Sequence, residues 1–115
     1  MMELNKEQKK IAKRLIDTAL ERECAVFNLR IKTLVGHHLN TRLAKPNHQR
    51  YLEIYKQTDE FDRHIANRYD GLSGSKYFMT VVNLYCDGVL KDEDLIEFED
   101  EVFMQIKNIA DWRSL

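Results

Sequence analysis

Between residues 16 and 38 the chain places Ile16, Leu20, Cys24, Phe27, Ile31, Leu34 and His38 at steps of four and three, a spacing that lines one face of an α-helix. Ile11, Leu15, Ala19, Val26 and Val35 widen this stripe. Asn5 is a good N-cap and Gln8, three residues on, completes a capping box, so the helix is expected to begin near Lys6. Continued to Arg42 it would be about 55 Å long at 1.5 Å per residue. That exceeds what a chain of 115 residues needs for one compact domain. The helix must therefore either bend at Gly36 or carry its end out to a partner.

The single proline, Pro46, marks the first break, because it pushes Lys45 out of helical geometry while Asn47 can cap the next helix. That second helix is expected over 48–69, with Tyr51, Ile54, Thr58, Phe61 and Ile65 facing the first and Tyr55 alongside. "DGLSGS" ends it. The segment "KYFMTVVNLYC" is apolar nearly all round and reads as a short, central helix. A fourth is expected over 92–112, with Leu95, Phe98, Val102, Ile106 and Ile109 inward. With only four glycines, one proline and no strand pattern, the fold class is all-α. The expected architecture is a single domain, residues 1–115: a four-helix, antiparallel, bundle-like arrangement with a long first helix and two helical hairpins.

"NLYCDGVLKDED" has the outline of a calcium loop, with Asn83, Asp87, Gly88, Leu90 and Asp94 at positions one, five, six, eight and twelve. Position three is Tyr85, position nine is Lys91 and position twelve is the shorter Asp, so the oxygen set is too thin for calcium. The same residues read better as a helix boundary: Gly88 stops one helix, Leu90 and Leu95 staple the next, and Asp92, Glu93 and Asp94 favour its positive end. His37, His38, His48 and His64 show no ligand spacing, and no Glu-x-x-His occurs; His38, on the apolar stripe, is expected to be a hydrogen-bonded core histidine. No metal or other cofactor is expected. Cys24 and Cys86 form no C-x-x-C pair, and both fall on helices expected to be packed, where free cysteine behaves as a small hydrophobe.

Arg30 and His37, in "RIKTLVGH", have an Arg-x6-His spacing that resembles the active-site motif of HEPN-type helical ribonucleases. That resemblance covers two residues and implies RNA cleavage. No other catalytic constellation accompanies it, so the chain is expected to be non-enzymatic, with a helical ribonuclease as the alternative.

Charge is unevenly spread: residues 1–50 hold 11 Lys+Arg against 5 Asp+Glu, and residues 76–115 hold 4 against 9. Two opposite halves can simply pack together, or the basic half can meet phosphates. For nucleic acid the candidates are Lys6, Lys9, Lys10 and Lys13 on the first helix, with Arg42, Lys45 and Arg50 around Pro46. For a protein partner the candidate is the acidic face of Glu97, Asp100 and Glu101. The long first stripe favours a protein-interaction or regulatory module that self-associates, as a homodimer, with nucleic-acid binding as the alternative. No apolar run reaches the roughly 20 residues of a membrane span and no signal-peptide pattern opens the chain, so a cytoplasmic location is expected.

Overall fold

The computed structural model describes residues 2–40 and 45–115. The fold is all-α, with five helices: α1 Lys6–Asn40, α2 Asn47–Tyr69, α3 Tyr77–Cys86, α4 Asp92–Leu95 and α5 Asp100–Arg113. A 3-10 turn, Gly74–Lys76, leads into α3. The chain divides into two compact units, Met1–Arg22 with Gly71–Leu115, and Glu23–Asp70; α1 contributes to both. It runs unbroken through Gly36, where nothing lies within 4 Å of an added Cβ. The expected end of this helix at Arg42 lies outside the described residues. At the start of α2 the cap is Pro46, extended at φ −53, ψ 149, and Asn47, expected there, is already helical.

The first unit holds the apolar core. Leu4, Ala12, Leu15, Ile16 and Ala19 are buried, as are Val102 and Ile106 of α5 and, each no more than 2% exposed, Phe78, Val81, Val82 and Leu84 of the short α3, which packs on α5. A helix apolar on nearly every side belongs at the centre, and α3 takes that place. It ends in a Schellman motif: Gly88 is left-handed at φ +79, Val89 N–H donates to the Leu84 carbonyl at 2.9 Å, and Gly88 N–H to that of Tyr85 at 3.1 Å. Leu90 and Leu95, which flank the start of α4 as a hydrophobic staple, are 1% and 0% exposed.

One expected helix, 92–112, is two. The inward spacing of Leu95, Phe98, Val102 and Ile106 is kept, yet the backbone leaves the helix after Leu95 and restarts at Asp100, with Glu99 extended at φ −57, ψ 151. Gln8 holds this break. Asn5 does cap α1, its Oδ1 accepting Gln8 N–H at 2.9 Å, but the Gln8 side chain does not reach back to Asn5. Instead its buried Oε1 accepts the Glu99 N–H at 2.9 Å. Gln8→Ala leaves that N–H without its acceptor and is expected to lower the unfolding free energy by about 1–3 kcal/mol, measured by chemical denaturation; an unchanged midpoint would contradict this role.

Candidate interaction surface

The second unit is an antiparallel pair built from α1 after Arg22 and from α2. Its axis is a face-to-face stack of Phe27 on Phe61, centroids 4.3 Å apart and planes 6° apart. Cys24, Ile31 and Leu34 line α1 beside it, and Ile54 and Ile65 line α2; all are only half-buried. No residue of α2 is buried and no apolar residue of the pair is, because two helices that share one line of contact leave the side chains along it open at the flanks.

Polar clusters fasten the pair at both ends. Towards the C-terminus of α2, Glu23 accepts hydrogen bonds from Tyr69 Oη at 2.6 Å and Arg68 Nη1 at 3.0 Å, and pairs with His64 Nε2 at 2.8 Å. Burial works to raise the Glu23 pKa, but the bonds from Tyr69 and His64 and the charge of Arg68 outweigh it and hold the carboxyl below its usual range. Burial first, and then the Glu23 carboxylate, push the Tyr69 phenol upward. Nearer the turn, His38 is buried and pairs with Glu53 at 2.8 Å, as a hydrogen-bonded core histidine should, and Glu53 also takes Lys45.

Outside these contacts several large apolar side chains of the unit stand in water among polar ones. Val26, Leu29, Leu39, Tyr51 and Tyr55 are 59–76% exposed, with Val35 and Leu52 less so. Val26, Val35 and Tyr51 belong to stripes expected to face inward; within this unit each helix has only the other beside it, which covers too narrow an arc to bury them. Val26, Leu29, Thr33 and Leu34 line an open groove of about 560 Å³ with Arg30, His37 and Gln57, so the two residues of the Arg-x6-His spacing do share one surface.

The basic candidates are dispersed. Lys6 and Lys10 are exposed; the Lys9 stem lies against Gly74, where an added Cβ would come within 3.2 Å of it; Lys13 pairs with Asp17 at 2.5 Å; and Lys45 is taken by Glu53. Arg50 keeps its Nε buried without a hydrogen-bond partner among the described residues, and Arg42 lies outside them. Of the acidic candidates, Glu97 pairs with Arg14, while Asp100 and Glu101 stand exposed in the first turn of α5, where they complement the helix dipole.

In the loop with a calcium-like outline, Asp94 accepts a two-pronged bond from Arg22 at 2.8 and 2.9 Å together with Lys91 N–H at 2.7 Å. Asp92 accepts from Tyr85 Oη at 2.5 Å and from Lys107 at 3.2 Å. Among the described residues no three His, Cys, Asp or Glu side chains converge as a metal site. Cys86 departs from expectation: it is exposed, its Sγ accepting from Arg113 Nη1 at 3.7 Å, because it closes the last turn of α3 rather than facing the core. No described helix is long and apolar enough to cross a membrane. No protein-family description, curated protein or solved structure matches the chain.

Sequence reading missed the Glu23 cluster, whose partners lie 41 to 46 residues away and carry no local pattern. A carboxylate held below its usual pKa stabilises the fold fully above the unfolded value and ceases to do so as pH falls through the folded one. Lowering the pH from about 6 to about 3, a window that spans the ordinary carboxylate range, is therefore expected to reduce the melting temperature, and Glu23→Gln to flatten part of that acid limb. An identical slope in the variant would show that Glu23 contributes nothing to it.

Proposed function

We propose that the chain is a non-enzymatic protein-interaction module that works through the α1–α2 pair, which acquires a closed apolar core only when a helical partner packs on it. The observation that carries this reading is the contrast between the two units: among the described residues every fully buried apolar side chain belongs to the first, and the second has none. Seven large apolar side chains of the second unit are 37–76% exposed. Two of them, Val26 and Leu29, lie together on one open groove with the half-buried Leu34, and adjoining apolar side chains of this kind are where partners dock.

Apolar contact survives high salt, whereas phosphate contact is screened. Protein retained by the immobilised chain at about 1 M salt is accordingly expected to fall at least tenfold when Val26→Asp and Leu29→Asp are combined, with helix content unchanged by circular dichroism. Retention of nucleic acid instead, or protein retention that ignores both substitutions, would defeat the proposal.

A further inference from the structure

We infer that the occupant of the Val26 and Leu29 face is the same pair of helices from a second copy of this chain, set by a two-fold axis along the helices so that α1 of each copy lies antiparallel over α2 of the other. This rests on the reading that the pair needs a helical partner, and adds which partner and in what register.

Charge selects the second copy. Arg30 borders the groove together with Gln57, and Glu60 lies three residues beyond Gln57, one turn along the same side of α2. Arg30 and Glu60 are both exposed, and neither has an ion pair among the described residues. From residue 24 to residue 40, α1 carries Arg30 and Lys32 and no acidic residue. Packing α1 on its own copy would set these cations against each other across an apolar contact, where like charges are strongly unfavourable. Packing α1 on α2 of the copy sets Arg30 against an acidic turn.

The register agrees. Within the pair, Phe27 lies level with Phe61 and His38 with Glu53. Arg30 therefore sits at a height close to Thr58, within a turn of Glu60. Rotation about an axis parallel to the helices preserves height, so it delivers Arg30 of one copy to Glu60 of the other, and the same contact recurs by symmetry. Val26, Leu29 and Leu34 then close over the second copy in place of water. A helix from a different protein could cover these apolar residues, but nothing would require its charges to repeat this pattern with the sign reversed.

Charge exchange tests the pairing in the 115-residue chain. By light scattering and sedimentation the wild type is expected to be a dimer of the 13.7 kDa chain. Arg30→Glu and Glu60→Arg, each alone, should raise the dimer dissociation constant by about tenfold or more. An equimolar mixture of the two, and the double variant, should return to within about threefold of the wild type, because both restore opposite charges at both symmetric contacts. A monomeric wild type, single variants that associate normally, or single variants weakened without rescue would overturn the inference. If a monomeric wild type still retains another helical protein through Val26 and Leu29, the interaction reading stands and the second copy is excluded; if it retains none, both fall.

Discussion

Two helices laid side by side share one line of contact, and that constraint governs the second unit of this protein. Each apolar residue on the line is covered from one direction only, which is why Phe27, Ile31, Ile54 and Phe61 remain half-buried although they are correctly spaced and Phe27 stacks flat on Phe61. The polar clusters at Glu23 and at His38 with Glu53 fix the register of the pair. They add specificity and hydrogen bonds, but they do not remove apolar surface from water, which is the dominant source of folding free energy.

The first unit solves the same problem by adding layers. There a helix that is apolar on nearly all sides packs on α5, and the first turns of α1 add buried residues of their own, so Val82, Leu84 and Ile106 are sealed from solvent. The basic start and acidic end of the sequence also meet in this unit, through Arg14 with Glu97 and Arg22 with Asp94. Arg22 additionally donates to the Val89 carbonyl at 3.0 Å, tying the loop after α3 to α1. Part of the charge imbalance along the chain thus has an internal structural use.

What could be read in the sequence was whatever depends on neighbours within a turn or two. The step of three and four between Ile16 and His38 located α1, Pro46 located the start of α2, and Gly88 located the end of α3 with its left-handed backbone. Features set by distant residues were not legible. The break between α4 and α5 depends on an acceptor supplied by Gln8, 91 residues from the N–H it satisfies. Likewise, the inward or outward fate of Val26 depends on how many helices surround α1, and one continuous stripe feeds a sealed core before Arg22 and an open face after it. The Arg14 and Glu97 pairing shows the same limit: composition revealed two opposite halves, but only the fold assigns one member of the acidic face to an internal contact.

If the α1–α2 pair lacks an adequate core of its own and is held by association, its stability must depend on protein concentration. Native-state amide hydrogen exchange across a range of concentrations tests this most directly, comparing Ile54 and Phe61 with Val82 and Leu84. Dilution is expected to lower the protection of Ile54 and Phe61 while leaving Val82 and Leu84 unchanged. Protection at Ile54 and Phe61 that is independent of concentration and equal to that at Val82 and Leu84 would contradict it.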